Sequence, residues 1–182
     1  MKLIYIVPGQ LPDKEIKRRE KVANTLVSEG TEVTVEKIKG GPLDLESAPE
    51  EYMAIPPTLD KLYEVKDDYD AAIIGCYFDP GIRAARELVD MPVIGPGESS
   101  IHLALMVGDD FSIITVLERD IPIQKSILRK MSISHLCKSV RSVGIPVQEL
   151  SKDHEKSLKA LEKTIKLIEE DDKASTVILG CM

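Results

Sequence analysis

Residues 71–76 read Ala-Ala-Ile-Ile-Gly-Cys, and residues 176–181 repeat the pattern as Thr-Val-Ile-Leu-Gly-Cys. Each segment is an apolar run that is closed by Gly and then Cys. A short run of this kind is typical of a strand buried on both faces of a parallel sheet. Ligands of such sheets bind in the crevice beyond the carboxyl ends of the strands. The pattern therefore predicts two thiols, Cys76 and Cys181, that are presented to one substrate from opposite sides.

Strands and helices alternate on both sides of these segments. The predicted strands are 2–7, 31–38, 71–75, 91–94, 111–116, one or two short strands around Val140 and Val147, and 176–180. The predicted helices are 15–29, 50–63, 80–88, 98–107, 119–131 and 153–170. Such alternation implies mainly parallel sheets that carry helices. Two strands of similar sequence begin at positions 2 and 111, and they are separated by nearly the same number of residues as Cys76 and Cys181. This nearly constant separation indicates that the second half of the chain is a duplicate of the first.

The predicted fold class is α/β with two similar halves, each a mainly parallel sheet flanked by helices, and with the active site in the cleft between them. The first half covers 1–97 and contains Cys76, and the second covers 98–182 and contains Cys181. A helix, a strand and another helix are predicted after Cys76, whereas only Met182 follows Cys181. We therefore expect the second half to lack its C-terminal portion.

Composition narrows the class of function. The 182 residues carry a net charge of −7 and are 43% hydrophobic and 30% charged, which is ordinary for a globular protein. An acidic chain lacks the basic surface of a nucleic-acid binder, and no run approaches the ~18 apolar residues of a membrane helix. Three cysteines without a CxxC motif or clustered histidines predict neither a disulfide scaffold nor a metal site. A reducing cytoplasm is the simplest location.

The amide content carries a separate signal. The chain has a single Asn and three Gln beside many Lys and Glu. Because this bias is typical of hyperthermophile proteins, we expect a thermostable protein.

Two opposed thiols suit the racemisation of a carbon acid without a cofactor. A thiolate removes the proton from one face of a carbon next to a carbonyl, and a thiol returns one on the other face. A free cysteine has a pKa of about 8.5, so a thiolate at neutral pH needs help from its surroundings. We expect a helix to start at Pro80, with Asp79 as its N-cap, so that the helix dipole favours a Cys76 thiolate. Cys137 does not follow an apolar run that ends in Gly, and it is predicted to be structural.

Residues 75–81 read Gly-Cys-Tyr-Phe-Asp-Pro-Gly, and residues 84–88 read Ala-Ala-Arg-Glu-Leu. Together they resemble the first cysteine motif of the hydantoin racemases, a family within the aspartate/glutamate racemase superfamily. The similarity continues in the same order along essentially the whole chain, through Pro92–Gly95, Phe111–Thr115, Val140–Arg141, Ile145–Val147 and Ile178–Cys181.

The chain departs from that family at two places. The family's Asn-Pro pair after the first strand is replaced by Val7-Pro8-Gly9-Gln10, and Gln10 is the residue expected to substitute for it. The family's second motif, Gly-Cys-Ala-Gly-Met, stands here as Gly180-Cys181-Met182.

The resemblance implies a cofactor-independent isomerase with Cys76 and Cys181 as its two catalytic bases, acting as a homo-oligomer on a small cyclic ureide. The substrate-binding residues expected beside them are Pro8, Gln10, Gly75, Tyr77, Phe78, Thr115 and Gly180. The Thr115 hydroxyl is expected to meet a carbonyl or an N–H of the substrate. Arg119 and Arg141 are candidates for an anionic or imide edge, with a solvated surface position as the alternative.

Tyr77 and Phe78 form an apolar wall where superfamily members that act on free aspartate or glutamate carry Asn-Thr. Such a wall suits a ring with a hydrophobic substituent, so the predicted substrates are 5-substituted hydantoins. Allantoin racemisation, or another racemase or isomerase reaction of the superfamily, is the alternative. Two further classes stay open: a two-lobed, non-catalytic binding protein for small metabolites, and a redox protein that joins Cys76 to Cys181 in a disulfide.

Overall fold

The computed structural model describes residues 1–150 and 152–180. The strands there are β1 (Lys2–Val7), β2 (Glu32–Lys37), β3 (Ala71–Ile74), β4 (Val93–Ile94), β5 (Phe111–Thr115), β6 (Cys137–Ser142) and β7 (Thr176–Leu179). The helices are α1 (Asp13–Leu26), α2 (Ala48–Val65), α3 (Ile82–Leu88), α4 (Pro96–Val107), α5 (Ile121–Lys130), α6 (Val147–Leu150) and α7 (His154–Leu167). The chain divides into two compact units, Met1–Pro96 and a second that starts at Gly97.

The first unit is built on a parallel sheet with strand order β2-β1-β3-β4. Side chains alternate between the two faces of each strand, so one strand contributes to two cores. Helices α2 and α3 cover one face, where the core contains Ile4, Ile6, Leu62, Ala72, Ile74 and Ala85. Helix α1 packs on the other face, against Val7, Val33 and Val35 with Leu3 and Tyr5 beside them.

The second unit is built on a parallel sheet with strand order β6-β5-β7, and all five residues of the central strand β5 are buried. In both units, the glycine of the Gly-Cys segment donates its N–H to a carbonyl of the central strand. The Gly75 N–H donates to the Ile6 carbonyl at 2.7 Å, and the Gly180 N–H donates to the Ile114 carbonyl at 2.8 Å. The two central strands, β1 and β5, are therefore equivalent, and the predicted α/β fold with two similar, mainly parallel halves is confirmed.

Two local predictions were wrong. The residues around Val147 form the short helix α6 rather than a strand, because the Pro146 carbonyl accepts from the N–H groups of Glu149 and Leu150 and so closes a helical turn. The helix after Cys76 begins at Ile82 rather than at Pro80. Its N-cap is Gly81, which has a φ of 72°, and no side chain caps it.

Candidate active site

Cys76 lies in a tight turn directly after β3. Its N–H donates to the Ile74 carbonyl at 2.8 Å, and its own carbonyl accepts from the Asp79 N–H at 3.0 Å. The residue is partly exposed and forms no disulfide within the described residues. Both backbone groups of Cys76 are thus held by the turn, while its side chain keeps access to solvent.

The helix expected to favour a Cys76 thiolate starts later than predicted, and the effect of its dipole on Cys76 stays a prediction. Helix α3 has seven residues and starts only at Ile82, and a turn that ends at Gly81 separates it from the thiol. The field of a helix end acts within about its first turn, so the later start of α3 removes the sequence argument for a thiolate at Cys76.

Asp79 has a packing role in place of the expected N-cap. Its φ is 50°, in the left-handed region that Asp adopts more readily than most side chains. An ideal Cβ on Gly95 would lie 2.7 Å from Oδ2 of Asp79 and still closer to Cγ and Oδ1. The Asp79 carboxylate therefore occupies the space that Gly95 leaves, and it joins the Cys76 turn to the residue that follows β4.

The expected apolar wall is largely internal. Tyr77 is 8% exposed and Phe78 is 7% exposed, so both side chains are mostly part of the core below the Cys76 turn. A substrate can meet only the small exposed part of each ring.

Pro8 and Gln10 follow β1 at the same edge of the sheet, because the ends of β1 and β3 are neighbours. Pro8 is buried and Gln10 is half-buried. The Gln10 side-chain nitrogen donates to the carbonyls of Ile38 at 2.8 Å and Gly40 at 2.5 Å. This ties the loop after β1 to the loop after β2, and it leaves the Gln10 Oε1 acceptor for any contact with a substrate.

Thr115 ends β5 in the second unit and is fully buried. Its Oγ1 donates to Oδ2 of Asp120 at 3.1 Å, and the same oxygen accepts from the Leu117 N–H at 2.9 Å. The Thr115 hydroxyl proton is therefore already engaged. Gly180 lies at the neighbouring end of β7, and Cys181 lies outside the described residues.

Cys137 behaves as a structural residue. Its Sγ donates to the Ser139 carbonyl at 3.3 Å, and burial raises the pKa of the thiol to about 11. A thiol with that pKa is protonated at neutral pH and is a poor base or nucleophile.

Arg141 is engaged by acidic groups of its own unit. Its Nε and Nη2 donate to the two carboxylate oxygens of Asp172 at 2.6 and 2.8 Å, and Asp171 lies 3.6 Å from Nη2. Of the two arginines singled out in the sequence, Arg141 thus has a structural contact, and Arg119 is exposed.

Two residues near these segments escaped the sequence analysis. The Tyr5 ring lies over Gly75, and the fully buried Asp120 carboxylate holds Thr115. Tyr5 carries a local signal because it interrupts the aliphatic run 3–7, whereas Asp120 follows Glu118 and Arg119 and is not distinguished by its neighbours in the sequence. A polar group in an aliphatic run is retained for a specific contact.

Within residues 1–150 and 152–180, no three or more His, Cys, Asp or Glu side chains come together as a group that could hold a metal ion. Over the same residues, no helix has the length and apolar character needed to cross a membrane.

Comparison with known proteins gives a consistent set of similarities. The family model described as Asp/Glu/hydantoin racemase matches residues 16–182. A hydantoin racemase of Pseudomonas sp. strain NS671 is 31% identical over 163 residues, which are 89% of this chain and 66% of that protein. A hydantoin racemase of Rhizobium meliloti is 31% identical over 152 residues, which are 83% of this chain and 63% of that protein. The chain thus spans slightly less than two thirds of the length of these relatives.

Among solved structures, the allantoin racemase of Klebsiella pneumoniae superposes with a TM-score of 0.91 at 27% identity. The match covers 100% of this chain and 74% of that chain.

Proposed function

The chain belongs to the Asp/Glu/hydantoin racemase family, as its first cysteine motif predicts, and from this premise we propose that it is a cofactor-independent racemase of 5-substituted hydantoins. The observation that carries the proposal is the similarity to hydantoin racemases over 89% of the chain, which includes Cys76 and its turn. The matching hydrogen bonds of Gly75 and Gly180 support an equivalent use of the two Gly-Cys segments.

The proposed chemistry is a two-base proton exchange at C5 of the ring. The hydrogen on C5 lies beside a carbonyl, so its removal gives an enolate that the ring amides stabilise. One cysteine, as thiolate, takes this proton, and the other, as thiol, donates its proton to the opposite face of C5. The product is the other enantiomer, and the protonation states of Cys76 and Cys181 are exchanged. The reverse reaction uses the same two groups in opposite roles.

The proposed substrate contacts are complementary to a cyclic ureide. Gln10 offers Oε1, because its amide nitrogen is engaged by Ile38 and Gly40. Thr115 is fully buried and donates its proton to Asp120, so its proposed part is to hold the end of β5 rather than to contact the substrate. The Gln10 Oε1 is an acceptor, which suits a ring N–H better than a ring carbonyl. Tyr77, Phe78 and Pro8 supply apolar surface, and Gly75 and Gly180 are proposed to meet the substrate through their backbones.

Allantoin is the second candidate substrate, because the allantoin racemase of Klebsiella pneumoniae matches the whole chain. Allantoin is itself a 5-substituted hydantoin, but its substituent is a polar ureido group. The apolar character of Tyr77 and Phe78 favours alkyl and aryl substituents over the ureido group.

We further propose that the enzyme works as a homo-oligomer in the cytoplasm. Sedimentation equilibrium tests the oligomeric state.

A chiral assay tests the proposed substrate. Single enantiomers of 5-benzylhydantoin, 5-isopropylhydantoin and allantoin are incubated with the protein, and the enantiomeric ratio is followed by chiral chromatography against a protein-free blank. We expect the alkyl and aryl hydantoins to racemise at least about tenfold faster than allantoin. Faster racemisation of allantoin would move the assignment to the second candidate. Binding of these ureides by calorimetry without any racemisation would favour the non-catalytic class.

A further inference from the structure

The space at Gly75 is filled by the aromatic ring of Tyr5. An ideal Cβ on Gly75 would lie 2.7 Å from the Tyr5 hydroxyl oxygen and closer still to the ring atoms Cε1 and Cζ. These separations are well inside van der Waals contact, so no side chain fits at position 75 while the ring stays where it is. Gly75 immediately precedes Cys76, and the ring therefore borders the backbone that carries the thiol.

The sheet register explains how the ring reaches this point. Tyr5 of β1 is paired with Ile73 of β3, and Gly75 is two residues further along the same face. Such a diagonal neighbour across adjacent strands is within reach of an aromatic side chain. The contact thus follows from the register between β1 and β3.

Gly75 is required for space and not for its backbone conformation. Its φ lies outside the left-handed region, in contrast to Gly81, whose φ is 72°. Any residue could adopt the backbone of Gly75, but only glycine leaves room for the Tyr5 ring. The Gly-Cys segment and Tyr5 are therefore a matched pair.

In the second unit, the position equivalent to Tyr5 carries a smaller side chain. Its equivalent hydrogen bond joins Gly180 to Ile114, so Ile113 takes the place that Tyr5 has in the first unit. Isoleucine is much shorter than tyrosine and carries no ring. The Tyr5 contact is thus a feature of the Cys76 side, and Tyr5→Ile is the substitution that copies the other half of the same chain.

We infer that Tyr5 is a positioning residue for Cys76: its ring packs on Gly75 and fixes the backbone at the start of the turn that carries the thiol. The inference rests on the proposed catalytic role of Cys76. The Gly75 N–H donates to the Ile6 carbonyl and fixes this backbone to β1, and the Asp79 N–H donates to the Cys76 carbonyl within the turn. The Tyr5 ring supports the same backbone on the face where Gly75 has no side chain. Proton transfer depends steeply on placement, since a displacement of about 1 Å can cost about 100-fold in rate.

The test combines two Tyr5 variants with a change at Gly75, all measured in the full chain. Tyr5→Phe keeps the ring, and we expect its kcat to stay within about threefold of the wild-type value. Tyr5→Ile removes the ring, and kcat should fall at least about tenfold while KM changes less than about threefold. Gly75→Ala forces the ring away, and kcat should fall about 100-fold. Combining Gly75→Ala with Tyr5→Ile should recover at least about tenfold of that loss.

A second readout does not depend on any substrate. The rate of iodoacetamide alkylation at Cys76 is measured by peptide mass spectrometry between pH 6 and 10. We expect Tyr5→Phe to follow the wild-type profile and Tyr5→Ile to change the rate or its midpoint by at least about threefold. Tyr63→Ile, which alters an exposed tyrosine on α2, is the matched control and should follow the wild type.

The outcomes separate the two proposals. If the wild type racemises no ureide, the proposed function fails, yet the alkylation profiles still decide the role of Tyr5. A Tyr5→Ile protein with wild-type kcat and a wild-type alkylation profile overturns the inference. It is also overturned if the double variant is no faster than Gly75→Ala alone.

Discussion

Gln124 lies on α5 with its side chain fully buried, and neither atom of its amide has a hydrogen-bond partner among the described residues. An amide buried in this way loses its bonds to water without replacement, at a cost of about 1–3 kcal/mol. An apolar side chain of similar length should therefore be more stable at this position.

We predict that Gln124→Met raises the free energy of unfolding by about 1 kcal/mol in urea denaturation. Methionine matches glutamine in length and in helix propensity, so the amide is the main difference. Lys125→Met, an exposed change on the same helix, is the control and should stay within about 0.5 kcal/mol. A clear loss of stability in Gln124→Met would mean that the amide has a favourable contact.

Cys137 allows a prediction from its pKa, which burial raises to about 11. At pH 8 its thiolate fraction should be about 100-fold lower in the folded protein than in the unfolded chain, and alkylation should be slowed in proportion. The rate at Cys137 should then rise about tenfold per pH unit from pH 8 to 10. Peptide mass spectrometry in buffer and in urea makes the comparison. Equal alkylation rates in the two conditions would refute the buried, neutral thiol.

Strand β6 is tied to the end of α7 by a charged contact. The chain leaves α7 through a π-helical turn at Ile168–Asp172, and Asp172 accepts from Ser139 at 2.6 Å and from Arg141 at 2.6 and 2.8 Å. The hydrogen bond from Arg141 is the main reason that the pKa of Asp172 is lowered from its usual value near 3.8, and burial opposes it. Because the folded-state pKa is lowered, Asp172 stabilises the fold above about pH 4, and this stabilisation is lost as the pH falls through the folded-state pKa.

Asp172→Asn should therefore reduce the free energy of unfolding by about 2 kcal/mol at pH 7. The difference from the wild type should shrink as the pH falls through the lowered folded-state pKa of Asp172, below which its carboxyl is protonated in both states. Asp171→Asn is the control, because Asp171 is 62% exposed and 3.6 Å from Arg141, and its effect should be within about 0.5 kcal/mol. A loss in Asp172→Asn that does not depend on pH would contradict the ionic origin.

The apolar strands were predictable from the sequence, and the contacts between elements were not. The segments 2–7, 111–116 and 176–180 correspond to β1, β5 and β7, because buried parallel strands leave a continuous apolar run. The start of α3 was missed because Asp79 and Pro80 have the composition of a helix start, while Asp79 instead packs on Gly95. The Tyr5–Gly75 contact depends on strand register, which a single strand does not encode. Among the site residues, Cys76 and its segment followed from pattern and resemblance, whereas Asp120 required the fold.

The whole chain carries the prediction of thermostability. One Asn and three Gln beside abundant Lys and Glu favour a melting temperature above the ordinary range of about 45–65 °C for mesophile domains. Differential scanning calorimetry of the purified protein measures it directly. A midpoint inside that range would contradict the compositional argument.

The central claim is that two thiols of one chain racemise a carbon acid, and proton exchange at C5 tests it most directly. Each enantiomer of 5-benzylhydantoin is mixed in heavy water with the wild type, Cys76→Ser, Cys181→Ser or the control Cys137→Ser, and the C5 proton and the optical purity are followed together. We predict that the wild type and Cys137→Ser lose the C5 proton as they racemise the substrate, and that each of the other two variants racemises at least about 100-fold more slowly. Wild-type racemisation by either Cys76→Ser or Cys181→Ser, or no exchange above the blank with the unaltered protein, would contradict the account.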